Sequence, residues 1–167
     1  MRWKPACAVC FYALFAAPGF AQQPAAPGIA NVTCTFEDGQ QARVSYSPVT
    51  EIEKRDLPKD KLWTPGNLPM NLFLDTAVLM GGTPIPPGAY SVYIVPSKGS
   101  WKLVVNKDVT PGHQYDMNQD LMRASMETGQ LPDVQRLQVA FSRSGPKQCS
   151  LRIYYGKIGT WAEFFEK

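Results

Sequence analysis

The stretch from Gly81 to Lys107, GGTPIPPGAYSVYIVPSKGSWKLVVNK, decides the fold class of this chain. It contains two apolar, strand-like runs, Ala89–Val95 and Trp101–Asn106, which are separated by the turn-rich sequence PSKGS. A helix cannot continue through the prolines and glycines of that connection, or through those of the Pro84–Gly88 lead-in. The stretch therefore predicts a β-hairpin.

Similar short runs, separated by turn residues, continue along the rest of the chain. They are Asn31–Phe36, Gln41–Ser47, Met70–Met80, Leu121–Thr128, Arg136–Arg143, Gln148–Tyr155 and Thr160–Phe165. The first two flank an Asp-Gly hairpin turn, and the last two are joined through Gly156–Gly159. This spacing predicts an all-β fold with little helix, an antiparallel β-sandwich or jelly-roll of about eight or nine strands. A β-barrel is the alternative.

The N-terminus has the layout of a secretory signal peptide. Arg2 and Lys4 precede a mostly apolar run over residues 6–17, and small residues lead up to Ala21. The apolar run is shorter than the 20 or so residues that span a bilayer, and no later run is long enough. We expect cleavage near Ala21, a disordered Pro/Ala-rich tether over residues 22–30, and a single domain over residues 31–167. A buried N-terminal helix is the alternative.

Export would change the charge and the cysteine content of the chain. Removing the first 21 of 167 residues leaves 146, and the loss of Arg2 and Lys4 lowers the net charge from +3 to +1. A near-neutral protein lacks the clustered basic face that nucleic acid requires. The sequence therefore predicts a periplasmic or secreted protein that does not bind nucleic acid and has no transmembrane segment in the mature chain.

Two cysteines, Cys34 and Cys149, remain after Cys7 and Cys10 leave with the signal. Each lies in a strand-like run and shares a face with apolar neighbours, so both sulfurs should point into the core. An even pair in an oxidising compartment predicts a disulfide. Two buried free thiols are the alternative.

The Pro48–Pro69 segment is long, charged and without a regular period, and such loops are often functional. It carries Trp63 and Asn67, and exposed aromatic side chains bind sugars or protein partners. We therefore predict a binding surface that includes Trp63, Asn67, Tyr154 and Trp161. A solvated connector, with the aromatic residues in the core, is the competing interpretation. A surface Trp63 predicts that Trp63→Ala removes binding and leaves the melting temperature nearly unchanged.

Chemical motifs are weak in this sequence. His113 is the single histidine, and Asp108, Asp116 and Asp120 lie near it, but the spacing matches no EF-hand and there is no histidine pair for zinc. His113 also lacks a Gly-x-Ser-x-Gly partner for a hydrolytic triad. A glycoside-type hydrolase would need two carboxylates close in space, and Asp75, Glu127 and Glu163 are the candidates. We predict no catalytic residue, no metal and no cofactor.

Several motifs resemble a bacterial family named domain of unknown function 2911. They are Tyr46-Ser47-Pro48-Val49, Leu62–Gly66, Pro86–Ser91, Tyr93–Pro96, Trp101–Lys107, Leu137–Phe141 and Leu151–Gly156. The resemblance implies an exported, β-rich protein with no established activity. Many members have Trp-Arg-Thr-Gly-Ala-Asn-Glu-Ala-Thr after the long loop; here Thr64 occupies the arginine position and Pro69 the glutamate position.

From these observations we expect an exported, non-catalytic binding or structural module of the bacterial cell envelope. Its partner would be an envelope polysaccharide or an envelope protein. The alternative is an envelope hydrolase of the glycoside type that uses a carboxylate pair.

Overall fold

The predicted hairpin is the centre of the fold in a computed structural model that describes residues 28–48, 58–64, 68–97 and 99–167. Its strands are β6 (Gly88–Val95) and β7 (Lys102–Asn106), paired antiparallel from Ser91 opposite Asn106 to Val95 opposite Lys102. Most of β6 is buried on both faces, as expected of a strand inside a sheet. The hairpin prediction is confirmed.

Within the described residues the chain forms ten strands and one short 3₁₀ turn. The other strands are β1 (Ala30–Thr35), β2 (Gln41–Tyr46), β3 (Met70–Leu74), β4 (Val78–Met80), β5 (Thr83–Ile85), β8 (Asp120–Ser125), β9 (Glu127–Gly145) and β10 (Gln148–Glu166). They form a six-stranded sheet in the order β1-β2-β3-β6-β7-β8 and a four-stranded sheet in the order β5-β4-β10-β9. All pairs are antiparallel, which confirms the predicted all-β antiparallel fold.

The two sheets share one apolar core. Side chains that are less than 2% exposed come from both of them: Val44, Leu72, Val92 and Leu103 from the six-stranded sheet, and Leu137, Leu151, Ile153 and Phe164 from the four-stranded sheet. The ring of Phe36 packs edge-on against Phe164, with 6.2 Å between centroids. Alternate residues of each strand therefore face the other sheet, and we call the opposite face of each sheet its outer face.

The predicted disulfide joins the two sheets. Cys34 on β1 and Cys149 on β10 are bonded, with their Cα atoms 6.5 Å apart and both residues buried. The bond closes over a sequence separation of 115 residues. It therefore connects two strands that are far apart in sequence and close only in the folded protein. The alternative of two free thiols is wrong.

The prediction of one strand over Met70–Met80 is wrong because the chain changes sheets within it. β3 ends at Leu74, residues 75 and 76 form a bend, and β4 continues in the four-stranded sheet. The side chains on both sides of this corner remain buried, so the apolar pattern does not stop there. Asp75 is exposed at the corner, and its N–H donates to the carbonyl of Gln41 at 2.9 Å.

A second corner divides the predicted Leu121–Thr128 strand. β8 ends at Ser125 and β9 begins at Glu127 in the other sheet, while the N–H of Met126 donates to the carbonyl of Trp101 at 2.7 Å. Met126 is 3% exposed, so this corner also stays in the core. The first corner and the short β5 each add a strand to the nine predicted runs, whereas β10 joins two of those runs in one strand, which gives ten.

β10 folds back on itself. A straight strand rises about 3.3 Å per residue, so its 19 residues would extend to roughly 60 Å. Yet the N–H of Glu166 donates to the carbonyl of Lys147, just before the strand, at 2.8 Å. The register shifts on either side of Gly156, whose φ is +57°. The two limbs correspond to the predicted Gln148–Tyr155 and Thr160–Phe165 segments.

Some sequence predictions concern parts of the chain outside the described residues. These are the signal peptide over residues 1–21, most of the tether over residues 22–30, and most of the Pro48–Pro69 loop, including Asn67. Across the described ranges, no helix has the length and apolar character needed to cross a membrane.

Candidate functional site

Trp63 lies at one end of the sandwich and packs against its core. Its N–H donates to the carbonyl of Ile94 at 2.7 Å, which fixes the backbone beside β6. Its indole meets Trp101 and Tyr155 edge-on, with centroid distances of 6.0 and 4.8 Å. The side chain is half-buried. Trp63 therefore contacts residues of both sheets. Its role in binding stays a prediction.

Tyr154 and Trp161 lie on the two limbs of β10, both half-buried. The indole Nε1 of Trp161 donates to Glu127 Oε2 at 2.9 Å, and the guanidinium of Arg152 lies 5.9 Å from the centroid of the indole ring. The backbone reversal brings these two limbs together, and Trp63 contacts the first limb through Tyr155, the residue that follows Tyr154. The binding role of Tyr154 and Trp161 stays a prediction.

A cavity of about 410 Å³ lies on the outer face of the six-stranded sheet. Its floor is made by side chains from four strands that are neighbours in the sheet: Ser45 on β2, Asn71 on β3, Ser91 on β6 and Asn106 on β7. We call this cavity the trough. The sequence prediction did not include any of these four residues.

The floor residues belong to one row that crosses the whole sheet. Strand register places Asn31 opposite Ser45, Ser45 opposite Asn71, Asn71 opposite Ser91, Ser91 opposite Asn106, and Asn106 opposite Asp120. Residues in register on neighbouring strands project from the same face. Six polar residues from six strands therefore form a continuous polar row on the outer face.

The segment after β7 covers part of this row. Asn106 Nδ2 donates to the carbonyl of Asp116 at 2.9 Å and to Asp120 Oδ1 at 2.8 Å, and its Oδ1 accepts from the N–H of Asp108 at 2.9 Å. The N–H of Lys107 donates to the carbonyl of Gln119 at 2.9 Å. These bonds hold residues 107–119, which we call the cover segment, over the β7 end of the trough.

A second cluster fastens the cover segment to β8. The hydroxyl of Tyr115 donates to Asp120 Oδ2 at 2.6 Å, and the guanidinium of Arg123 bonds both groups, with Nε 2.8 Å from Asp120 Oδ2. The ring of Tyr115 also packs against Tyr93 on β6 at 5.1 Å. Burial and the hydrogen bond to Asp120 raise the pKa of Tyr115 to about 12. Tyr115 is therefore a neutral donor at physiological pH.

Asp108 and His113 form a pair inside the trough. Asp108 Oδ2 lies 3.0 Å from His113 Nδ1, and Asp108 Oδ1 accepts from the N–H of Thr110 at 2.9 Å. The hydrogen bonds from Thr110 and from His113 lower the pKa of Asp108 to about 2. The lining of the trough therefore contains one ionised carboxylate and, hydrogen-bonded to it, an exposed imidazole.

The remaining lining is neutral. The described lining residues include serine, threonine, asparagine, glutamine and tyrosine side chains, and none is lysine or arginine. Asp108 is the single carboxylate among them. The carboxylate candidates Asp75, Glu127 and Glu163 lie outside this lining, so the described trough does not contain the two carboxylates that a glycoside hydrolase needs.

The loop around His113 does not gather metal ligands in the described part of the chain. No group of three or more histidine, cysteine, aspartate or glutamate side chains is close enough there to hold an ion. Asp116 instead caps the 3₁₀ turn by accepting from the N–H of Asn118 at 2.9 Å. Asp120 bonds Asn106, Tyr115 and Arg123. The loop carboxylates thus hold the cover segment in place.

A family model described as "Protein of unknown function (DUF2911)" matches residues 30–162. The chain belongs to the DUF2911 family. Neither a curated protein nor a solved structure matches it. The motifs by which the sequence resembles DUF2911 contain several polar residues of the trough. Ser47 lies in the first motif, Tyr46-Ser47-Pro48-Val49. Ser91 is the last residue of the Pro86–Ser91 motif, and Asn106 precedes Lys107 at the end of the hairpin motif.

Sequence reasoning missed the trough because it searched for aromatic and charged residues. The signal that could have revealed it is the polar residue within each otherwise apolar motif, Ser91 in a β6 that is mostly buried and Asn106 at the end of an apolar β7. The altered part of the DUF2911 motif also borders the trough, because Leu68 and Pro69 line it. Here Pro69 is neutral where the resemblance implies glutamate.

Proposed function

We propose that this DUF2911 protein is a non-catalytic binding module of the cell envelope that takes a neutral saccharide in the trough. The observation that carries the proposal is the lining: a row of hydroxyl and amide side chains with tyrosine rings beside it. A saccharide presents hydroxyl groups that both donate and accept. Ser45 and Asn71, the half-buried members of the floor, match them because each side chain can also do both.

The charges of the trough favour a neutral ligand. A phosphate or carboxylate ligand is normally held by arginine or lysine, and the described lining contains neither. The ionised Asp108 carboxylate would repel an anion, and its lowered pKa keeps that charge throughout the physiological range. A neutral, hydroxyl-rich ligand meets no such cost, and its hydroxyls can donate to Asp108.

The trough has a volume suited to a small ligand and a partly rigid floor. A volume of about 410 Å³ falls within the range of ordinary ligand pockets. Asn106 is fixed by three hydrogen bonds, whereas the amide of Asn71 makes no side-chain hydrogen bond within the described residues. Asn71 is half-buried, so its donors and acceptor remain for a ligand.

The envelope location rests on the signal-peptide pattern of residues 1–21 and on a disulfide that needs oxidising conditions. An envelope polysaccharide is the neutral saccharide source that fits such a location. Tyr115, which is half-buried and meets the buried Tyr93 edge-on beside the polar floor, supplies an aromatic surface on which a sugar ring can pack.

The test is a binding screen of the mature protein against neutral hexose and N-acetylhexosamine oligosaccharides, with uronic-acid oligosaccharides as the anionic arm. We expect binding to neutral members and none to the anionic arm. Asn71→Ala should weaken binding at least about tenfold and leave the melting temperature unchanged, because one lost hydrogen-bonding group is worth about 1.4 kcal/mol.

Asn118→Ala is the matched control, because Asn118 is an exposed asparagine in the 3₁₀ turn and outside the trough lining. It should bind as the unaltered protein does. The proposal is wrong if no neutral oligosaccharide binds, if the anionic arm binds better, or if Asn71→Ala and Asn118→Ala bind equally well.

A further inference from the structure

The trough is elongated across the strands. Its lining begins at Ile29, just before β1, and continues over β2, β3 and β6 to Asn106 on β7. Neighbouring strands lie about 4.8 Å apart, so the three spacings from β2 to β7 extend over roughly 14 Å, and Ile29 lies beyond them at the margin. A site of this length accommodates several units of an extended chain lying perpendicular to the strands.

The β7 end of the trough is closed. Ser91 and Asn106 face away from the core, yet they are only 2% and 1% exposed, because the cover segment lies over them. Beyond them, Asp120 is bonded by Tyr115 and Arg123, and Tyr115 packs against Tyr93. A hydrogen-bonded wall therefore stands across the polar row between β7 and β8.

The opposite end is open in the described structure. β1 is the edge strand of the sheet, Asn31 is exposed, and Ile29 at the margin is 64% exposed. Leu68 on the margin near β3 is 52% exposed. The polar row thus emerges from beneath the cover segment and continues to the edge of the sheet.

We infer that the trough receives the end of a saccharide chain, with the terminal unit at the closed β7 end and the rest of the chain leaving over β1. This inference rests on the proposed function. The terminal unit would lie beside Asp108 and His113, where the ionised carboxylate accepts from its hydroxyl groups and the imidazole, bonded to Asp108 through Nδ1, offers its second nitrogen.

Stoichiometry tests this geometry with the unaltered protein. N-acetylglucosamine oligomers from the trimer to the octamer, and a long soluble polymer of the same sugar, serve as probes in calorimetry and light scattering. A site that takes an end binds one protein per chain at every length. A groove open at both ends would bind more proteins as the chain grows, and that result overturns the inference while leaving the proposed function in place.

End-blocked probes give an independent measurement. A bulky fluorophore on the reducing end and the same fluorophore on the non-reducing end are compared with the free oligomer. We expect one label to weaken binding at least about tenfold and the other to leave the affinity within about twofold. If the protein tolerates both labels equally, the trough does not recognise an end. If it binds none of the oligomers, both the inference and the proposed function fail for this sugar class.

Discussion

Ser91 and Asn106 lie directly opposite each other on β6 and β7, face away from the core of the sandwich, and are among its most buried polar residues. Outer faces of sandwiches normally meet water. Here the cover segment removes that water. Asn106 makes two hydrogen bonds to the segment, at Asp108 and Asp116, and a third to Asp120 at the start of β8. Asn106 therefore helps to close this end of the trough.

Replacing Asn106 should loosen the cover segment. Asn106→Ala removes three hydrogen bonds and leaves the N–H of Asp108 without its acceptor, a loss of about 2–3 kcal/mol. The amide of Lys107, which donates to Gln119, should exchange its hydrogen faster in the variant. Asn118→Ala is again the control. Unchanged protection of Lys107 would show that the segment is held by other contacts.

The pH dependence of the trough should follow Asp108. Hydrogen bonds from Thr110 and His113 lower its folded pKa from 3.8 to about 2, so they contribute stability above the unfolded pKa, and this stability is lost as the pH falls through about 2. An NMR titration of the Asp108 carboxyl should show that midpoint, and Asp108→Asn should abolish it. A midpoint near the ordinary value of 3.8 would contradict the hydrogen bonds described here.

Glu166 should affect stability in the opposite direction. Its side chain is 3% exposed, and burial raises its pKa above the ordinary 4.5, with a further contribution from the nearby charge of Asp38. The stability linked to this group is greatest below the unfolded pKa and is lost as the pH rises through the folded pKa.

Glu166→Gln should therefore make the protein more stable at neutral pH than the unaltered chain, and it should flatten the fall in stability above 4.5. Denaturant unfolding at several pH values measures this. Glu37→Gln, a change of the same kind at an exposed position, should have no effect. A Glu166→Gln variant less stable than the unaltered protein at neutral pH would show that the Lys147 ammonium, 4.0 Å away, outweighs burial.

Breaking the Cys34–Cys149 bond should be costly. The bond closes a loop of 115 residues, for which the chain-entropy account gives about 3–5 kcal/mol. The double Cys→Ser variant should unfold at a lower denaturant concentration. Reductant should destabilise the unaltered protein and leave the double variant unaffected, and equal sensitivity of the two would exclude a contribution from this bond.

Trp63→Ala should lower stability by about 3 kcal/mol, because its ring contacts Trp101 and Tyr155 in a partly buried cluster. A surface Trp63, the basis of the predicted binding surface, would instead leave the melting temperature nearly unchanged. Thermal unfolding decides between the two expectations. Trp63→Phe, which keeps an aromatic ring there, should recover most of the loss.

The hairpins were predictable because their signals are local. Asp38-Gly39 marks the turn between β1 and β2, where Gly39 has a φ of +91°, and proline and glycine mark the ends of β6. The disulfide was predictable because cysteine pairing follows from compartment and strand alternation. The hairpins needed only residues adjacent in sequence. The disulfide needed only that Cys34 and Cys149 are the two cysteines in the domain.

The corners and the trough were not predictable in this way. At Asp75 and at Met126 the chain leaves one sheet and enters the other, but both sheets bury side chains in the same core, so the apolar pattern continues. The polar row depends on the register of six strands from distant parts of the sequence. Single residues such as Ser45 and Asn71 carry no mark of that register.

The covalent bridge between β1 and β10 also determines what happens to a molecule that a protease cuts. Any single cut between residues 34 and 149 leaves two pieces that are still tied through sulfur. A nicked molecule would run as one species on a non-reducing gel and as two after reduction. Such a chain can be cut once within this loop and still keep its two sheets covalently joined.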